Sequence, residues 1–255
     1  MTNSKGSIIV KNAISRLMDG QNLTREESRS VMNEIMQQKA TDAQISAYLV
    51  AMRMKGETVD EIHGSVEAVS SDDKYFTLED DNAVDTCGTG GADLSTFNIS
   101  TAAAFVTAGA GVKVAKHGYH SVSGRCGSAD LLKKLGVHIQ LNRKQMIQCF
   151  HDIGITFVFS AYLRKNRQYA LGPRQEIGAR NLFNLLGPIT NPAHIKRQVI
   201  GVYNKNLMQP LINVLKELGS EHVMMVHGAD GLDEITLNGK TYILELKGDQ
   251  IKQYS

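Results

Sequence analysis

Residues 85–101 combine residue types that suit the binding of a phosphate group. They read Asp-Thr-Cys-Gly-Thr-Gly-Gly-Ala-Asp-Leu-Ser-Thr-Phe-Asn-Ile-Ser-Thr and lead into an alanine-rich segment. The three glycines allow positive φ and a close approach of the backbone to a ligand. The N–H groups and dipole at the start of the predicted helix favour negative charge. We therefore predict an anion site, although an isolated Gly-x-Gly-Gly is by itself more typical of a tight turn capped by Asn98 and Ser100.

A second loop of the same character, residues 116–128, follows another short apolar run. It combines Lys116 and several glycines with the hydroxyls of Ser121, Ser123 and Ser128. Ammonium, hydroxyl and glycine backbone N–H groups are common phosphate donors. Two such loops fit a ligand that carries two phosphate groups.

Charged side chains at two further places have two interpretations each. Asp233 and Glu234 are adjacent acids in a glycine-containing loop, which usually means a solvated surface, but beside a polyphosphate they would supply oxygen ligands for Mg²⁺. Arg174 precedes a predicted helix at 175–186, where it is either a surface arginine or a planar fork for a substrate carboxylate.

The first 72 residues predict four helices, because their apolar residues recur at helical spacing. Three of these helices carry a capping box at their start, in which a threonine is followed three residues later by an acid or amide. The three boxes begin at Thr24, Thr41 and Thr58.

From residue 83 onward short β-branched runs alternate with helical stretches, which is typical of a parallel sheet covered by helices. The predicted strands are 83–86, 112–115, 156–159, 199–203, 222–226 and 241–245. The predicted helices are 99–108, 128–135, 144–153, 175–186 and 205–218. The fold class is therefore α/β, with a small all-helical domain at 1–72, which later helices can join, and a larger domain with a mainly parallel sheet at 73–255. Both phosphate loops follow strands, where ligands of such sheets bind.

Composition restricts the functional classes. The 255 residues carry a formal net charge of only +2, which argues against a nucleic-acid binder despite Arg164, Lys165 and Arg167 lying between two tyrosines. Three cysteines without metal-ligand spacing, a polar start and the lack of a long apolar run predict a cytoplasmic protein outside the membrane.

The motifs together resemble the anthranilate phosphoribosyltransferase family, from the N-terminal helices to the end of the chain. That family moves phosphoribose from phosphoribosyl pyrophosphate (PRPP) to the amine of anthranilate in tryptophan biosynthesis. The most specific matching segments are 87–91, 98–101, 116–118, 181–188, 191–193 and 231–234.

The resemblance implies site residues, a cofactor and a partner. The residues it places on PRPP are Gly88, Gly91, Thr96, Asn98, Ile99, Ser100, Thr101, Lys116, His117, Gly118, Ser121, Ser123, Gly124 and Ser128. It places Gly88, Tyr119 and Arg174 on anthranilate or a similar aromatic amine, and Ser100, Asp233 and Glu234 on Mg²⁺. It also implies a homodimer formed through the N-terminal helices. No side chain is expected to form a covalent intermediate, so catalysis would be electrostatic.

The chain departs from the family pattern on the acceptor side. Ala92 replaces an aspartate, Tyr119 an asparagine and His120 an arginine, and residues 160–169 replace a histidine-containing segment. Family members also continue into further helices, so the second domain is expected to be short at its C-terminus. A catalytically weakened or re-specialised PRPP-binding relative is therefore an alternative. A nucleoside phosphorylase is another, against which the two adjacent acids argue.

Overall fold

The computed structural model describes residues 6–70, 77–90, 96–120, 126–160 and 169–255. Contacts divide the chain into two compact units: a helical unit of residues 1–73 and 164–186, and an α/β unit of residues 74–163 and 187–255. Among the described residues, no helix combines the length and the apolar character that crossing a membrane requires.

The helices and strands alternate in the second half of the chain, as the sequence predicts. In chain order they are α1 (Ile8–Met18), α2 (Arg25–Met36), α3 (Asp42–Lys55), α4 (Val59–Ser70), β1 (Val84–Gly88), α5 (Ile99–Gly109), β2 (Val114–Gly118), α6 (Ser128–Lys134), α7 (Arg143–Ile153), β3 (Ile155–Phe159), α8 (Leu171–Ile177), α9 (Leu182–Leu186), β4 (Arg197–Gly201), α10 (Met208–Glu217), β5 (His222–Gly228), β6 (Thr241–Lys247) and β7 (Gln250–Tyr254).

The four predicted N-terminal helices and all three capping boxes are confirmed. Thr24 and Glu27 exchange hydrogen bonds at the start of α2, and Thr41 and Gln44 do so at the start of α3. At the start of α4 the Thr58 N–H donates to Glu61 Oε2 at 2.8 Å, while the Glu61 N–H donates to Thr58 Oγ1 at 3.3 Å. The apolar faces of these helices form the core of the unit, whose largest fully buried side chains include Tyr48, Met32, Ile35, Leu49, Met52 and Ile62.

The α/β unit contains one seven-stranded sheet in the order β3-β2-β1-β4-β5-β6-β7. The first five strands are parallel, and β6 and β7 are antiparallel to their neighbours. The predicted α/β class with a mainly parallel sheet is therefore confirmed. The strand order reverses at β1, which has β2 on one side and β4 on the other, so a crevice is expected at the carboxyl ends of β1 and β4.

Three element predictions were wrong in detail. The predicted helix at 175–186 is two helices, α8 and α9, because Gly178 adopts φ 60° and ends α8 with a left-handed residue. Arg174 therefore lies inside α8 and not before a helix. The predicted helix at 205–218 begins with a short 3₁₀ turn, Lys205–Leu207, so that Pro210 falls in the first turn of α10, where its missing N–H is tolerated. Strand β7 was not predicted, since all but one of its residues are exposed.

Candidate functional site

The site lies where the sheet order reverses, and two glycines shape it. Gly88 ends β1, Gly201 ends β4, and the two are paired across the strands. A Cβ atom on Gly201 would lie 1.8 Å from the carbonyl oxygen of Asp233, and one on Gly88 would lie 3.6 Å from the Asp233 carboxylate. The absence of side chains at both positions therefore lets the loop that carries the two acids cross the strand ends.

That acidic loop, residues 229–236, is held by its own hydrogen bonds. The Gly228 N–H donates to the Leu232 carbonyl at 2.8 Å, and Thr236 Oγ1 donates to Asp230 Oδ2 at 2.6 Å. The loop follows β5, whose parallel partner is β4. A short, internally bonded loop can therefore present Asp233 and Glu234 to the ends of the strands in a fixed position.

Lys116 and Ser100 lie next to the acidic loop. Together with Asp233 and Glu234 they form what we call the central group of the site. The buried Lys116 ammonium donates to the Thr86 carbonyl and to Ser100 Oγ, the latter at 3.2 Å. Thr86 Oγ1 donates to the Ser100 carbonyl at 2.8 Å, which ties the first turn of α5 to β1. The Ser100 backbone N–H lies near enough to Glu234 to act on the pKa of that carboxyl, which it lowers. Ser100 therefore lies between the ammonium and the carboxylate.

The electrostatics of this group show an excess of buried negative charge. Burial, and then the neighbouring carboxylate of Asp233, raises the pKa of Glu234 to about 7, although Lys116 and the Ser100 N–H act in the opposite direction. Burial also lowers the pKa of Lys116. The hydroxyl of Ser100 and the carboxylates of Asp233 and Glu234 are all oxygen donors, the kind that Mg²⁺ binds. The donor set and its charge therefore fit a divalent cation.

Other predicted phosphate contacts lie along α5 and α6. Thr101 Oγ1 donates to Ser128 Oγ at 2.9 Å, so the two hydroxyls meet between these helices. A Cβ atom on Gly118 would lie 3.2 Å from the Ser128 Cβ, which places the end of β2 directly beside Ser128. Thr96 is exposed and Ile99 is the first residue of α5. The predicted residues Gly91, Ser121, Ser123 and Gly124 lie outside the described residues.

The alternative expectation that Asn98 and Ser100 merely cap a helix is wrong. Asn98 occupies the N-cap position of α5 but makes no side-chain cap hydrogen bond. Its amide donates instead to Cys126 Sγ at 3.7 Å, across the gap between the two predicted phosphate loops. Ser100 uses its hydroxyl to accept from Lys116. The side chains of Asn98 and Ser100 therefore bond to Cys126 and Lys116 and do not cap α5.

His117 was predicted to contact PRPP, but its imidazole lies away from the central group of Lys116, Ser100, Asp233 and Glu234. Successive strand residues point to opposite faces, so Lys116 and His117 diverge. Both ring nitrogens of the buried imidazole face acceptors, Asp85 Oδ2 at 2.6 Å and the Gly187 carbonyl at 2.8 Å. The ring is therefore held on both sides by buried partners.

Asp85 is the centre of this buried network. Its carboxylate also accepts from the His117 N–H at 3.1 Å, from Asn191 Nδ2 at 3.0 Å and from Gln198 Nε2 at 3.1 Å. Burial raises the pKa of Asp85, but His117, Lys116 and Asn191 outweigh it and the pKa lies below its ordinary value. The network joins β1, β2 and β4 on the face opposite Lys116.

Cys87 lies close enough to Asp85 and His117 for the three side chains to form a metal-binding group by distance alone. The chemistry argues for a hydrogen-bond network. Burial and the Asp85 charge raise the pKa of the Cys87 thiol, whereas a metal requires the thiolate. Both imidazole nitrogens already have protein partners.

The two predicted acceptor residues beyond Gly88 have aromatic neighbours. The Tyr119 ring meets the His117 ring edge-on with centroids 6.4 Å apart. In the helical unit, the Arg174 guanidinium lies over the Phe183 ring at 5.0 Å. Residues 161–168, most of the segment that departs from the family pattern, lie outside the described residues, as does Ala92.

Sequence reasoning missed several residues that shape the site. Asp85 lies in the first predicted segment and Asn191 in a segment that matches the family, but the pairing of Asp85 with Asn191 and Gln198 was not predicted, because the partners are distant in sequence. Gly201 did give one, since a glycine inside a predicted strand often marks a close approach of another backbone.

Comparisons with known proteins agree with this geometry. Residues 80–255 match the model described as the glycosyl transferase family a/b domain, and residues 11–71 match its helical bundle domain. The anthranilate phosphoribosyltransferase of Ectopseudomonas mendocina is 48% identical over 245 residues, which cover 96% of this chain and 70% of that relative.

Solved structures give the same result. The crystal structure of anthranilate phosphoribosyltransferase from Thermus thermophilus matches with a TM-score of 0.84 and 33% identity, over 95% of this chain and 73% of that one. The Saccharomyces cerevisiae enzyme in complex with PRPP and Mg matches with a TM-score of 0.84 and 25% identity, over 96% of this chain and 72% of that one. The chain therefore belongs to the anthranilate phosphoribosyltransferase family of glycosyl transferases.

Proposed function

We propose that this chain transfers phosphoribose from PRPP to the amine of anthranilate and releases pyrophosphate. The observation that carries the proposal is the meeting of Lys116, Ser100 and the acidic loop at the switch point of the sheet. The names of the matched relatives support the reaction, and the yeast complex supports PRPP and Mg²⁺ as ligands of this family.

The protein's part in the reaction is to stabilise charge as pyrophosphate leaves the ribose. Of its three N–H groups, the Lys116 ammonium gives two to the described acceptors Thr86 and Ser100, and it would give the third to a phosphate oxygen. The Ser128 hydroxyl, which accepts from Thr101 Oγ1 at the start of α6, would donate to the second phosphate group. Donors fixed before the reaction lower the barrier without reorganisation.

Ser100, Asp233 and Glu234 are the residues that would hold Mg²⁺. When bound, the ion would neutralise charge on the leaving pyrophosphate. The raised pKa of Glu234 supports this assignment, because burial and the neighbouring Asp233 carboxylate disfavour the charge that a bound divalent cation would favour.

On the acceptor side we propose that anthranilate binds beside Gly88 and Tyr119. Gly88 supports this because its lack of a side chain allows other groups to approach the end of β1 closely, and the Tyr119 ring offers an aromatic edge. The assignment of the anthranilate carboxylate to Arg174 stays a prediction from the resemblance, as do the acceptor's exact identity and the cytoplasmic location.

We also propose the homodimer through the N-terminal helices that the resemblance implies. Exposed apolar side chains on α1 and α3 support it, namely Ile8, Ile9, Met18, Val50 and Met54. Sedimentation of the purified chain would give a mass of twice 27.9 kDa. A monomer at micromolar concentration would contradict it.

The reaction is tested by following anthranilate fluorescence and pyrophosphate release together in the presence of PRPP and Mg²⁺. We expect equal amounts of anthranilate consumed and pyrophosphate formed. A nucleoside with inorganic phosphate serves as the control substrate pair and should give no product. Thermal stabilisation by PRPP without turnover would instead support a relative retained for binding.

A further inference from the structure

We propose that Asp130 and His120 are positioning residues for the phosphate-binding region, an inference that rests on the proposed function. The two Asp130 carboxylate oxygens join His120, the second residue after the end of β2, to Gly127, the residue that precedes α6. Oδ1 lies 2.5 Å from His120 Nδ1, and Oδ2 accepts from the Gly127 N–H at 2.8 Å. One carboxylate thus holds both sides of the connection from β2 to α6.

A backbone hydrogen bond runs beside this carboxylate bridge. The Ala129 N–H donates to the Tyr119 carbonyl at 3.3 Å. The first turn of α6 is therefore attached to the end of β2 at two neighbouring points, one through the backbone and one through side chains. The backbone bond alone leaves the N–H of Gly127 and the direction of the His120 ring unfixed, so the carboxylate adds a separate restraint.

The His120 ring is held from its other side by β3. It meets the Phe159 ring edge-on, with centroids 5.1 Å apart and planes at 88°. A carboxylate only accepts hydrogen bonds, so Nδ1 of His120 must carry a proton in this arrangement. The ring is therefore oriented by an aromatic contact and the carboxylate together.

The bridge acts on Ser128, which directly follows Gly127. Its hydroxyl accepts from Thr101 Oγ1 at 2.9 Å, and its Cβ lies close to Gly118. Ser128 thus occupies a narrow place between α5 and the end of β2. A shift of Gly127 would move the Ser128 hydroxyl away from Thr101, and both are proposed PRPP contacts. Neither His120 nor Asp130 is assigned to contact PRPP.

The expected effect is small and specific. The side chains of His120 and Asp130 are 48% and 33% exposed, and a pair of this exposure changes an equilibrium constant by a factor of roughly 1.4 to 5. Loss of the bridge should therefore raise the KM for PRPP by about two- to five-fold. The kcat and the KM for anthranilate should change by less than about 1.5-fold, because Ser128 is displaced only until PRPP is bound.

The experiment compares two variants of His120 in the full chain. His120→Phe keeps the contact with Phe159 but removes the donor, and we expect it to raise the KM for PRPP. His120→Arg provides a hydrogen-bond donor beside Asp130 again and should return the KM to within about 1.5-fold of wild type. Asp130→Asn combined with His120→Phe should raise the KM no further than His120→Phe alone. Equal KM values for the Phe and Arg variants, or additive effects of the two substitutions, would overturn the proposal.

The proposed function and the bridge fail in different ways. If the wild-type chain binds PRPP in calorimetry but forms no product with anthranilate, the proposed function is wrong. The bridge is then tested by comparing the dissociation constants of PRPP for the same variants. A wild-type chain that does not bind PRPP at all overturns both. Thermal unfolding of each variant checks folding, and variants with unchanged unfolding midpoints but a raised KM support positioning over a purely structural role.

Discussion

At the scale of single residues, the site depends on two groups of opposite charge, the buried Lys116 ammonium and the half-buried Glu234 carboxylate. Lys116 and Glu234 both face Ser100, and burial disfavours the charged form of each. Such arrangements of shifted groups are more frequent at functional sites than elsewhere. The two groups lead to different predictions, because Lys116 acts on the ligand and Glu234 acts on the stability of the empty protein.

Replacing the Lys116 ammonium should separate activity from stability. We expect Lys116→Met to lower kcat/KM for PRPP by at least about 100-fold, the effect of losing one preorganised donor. The midpoint of thermal unfolding should fall by no more than about 2 °C, because the pKa of Lys116 is lowered and the folded state disfavours its charge. The exposed Lys133 in α6 provides the control, and Lys133→Met should change neither quantity. Retained activity in Lys116→Met would exclude the assigned role.

Glu234 should make the empty protein less stable as pH rises. Its pKa is about 7 in the folded chain against an ordinary value of 4.5, so the folded state binds more protons between these two values. Stability is therefore lost as pH rises from 4.5 through 7. Without divalent cations, Glu234→Gln should raise the unfolding midpoint by at least about 2 °C at pH 8 and by less at pH 5.

Asp249→Asn is the control for that measurement, because Asp249 has an almost fully exposed side chain. Its unfolding midpoint should differ from wild type equally at both pH values. A gain for Glu234→Gln that is the same at pH 5 and pH 8 would contradict the raised pKa.

At the scale of elements, the sequence predicted the helix starts well, but it did not predict the break at Gly178 or strand β7. The three capping boxes lie within four residues each, and all three form as predicted. The break at Gly178 also has a local cause, but the apolar residues on both sides of it suggested one continuous helix. Strand β7 has no alternating apolar pattern to detect, since only Ile251 is partly buried.

The first capping box gives a stability prediction. Thr24→Ala removes the acceptor for the Glu27 N–H at the start of α2 and should lower the free energy of unfolding by about 1 kcal/mol. Ser30→Ala lies in the middle of the same helix and should leave stability unchanged or slightly higher. Denaturant titration with an unchanged m-value would measure both. Equal losses in the two variants would contradict the capping assignment.

The end of β4 gives a prediction about activity. In Gly201→Ala the new methyl group would meet the Asp233 carbonyl at 1.8 Å, so the acidic loop must move. We expect the concentration of Mg²⁺ needed for half-maximal turnover to rise at least about ten-fold. Gly239 lies in the same connection between β5 and β6 with no atom near its Cβ position, and Gly239→Ala should behave as wild type. Unchanged Mg²⁺ dependence in Gly201→Ala would contradict the placement of the acidic loop.

At the scale of the whole molecule, the site is made of segments that are far apart in sequence. The described parts of these segments, residues 86–90 and 96–101, 116–120 and 126–128, and 228–236, follow strands that end at one edge of the sheet. Sequence reasoning could predict that edge, and with it the strand ends at which the proposed phosphate loops and the proposed metal-binding acids lie. It could not predict that Asp85 and His117 turn to the opposite face, because the donors around Asp85 come from β2, β4 and the segment before β4.

The most direct test of the central claim is the Mg²⁺ dependence of pyrophosphate release from PRPP and anthranilate. We predict turnover by the wild-type chain, and a loss of at least about 100-fold in Asp233→Asn combined with Glu234→Gln, with Asp249→Asn matching wild type. PRPP should still protect the double variant against thermal unfolding, which would show that the phosphate loops remain intact. Turnover of the double variant at the wild-type rate, with the same Mg²⁺ requirement, would contradict the account.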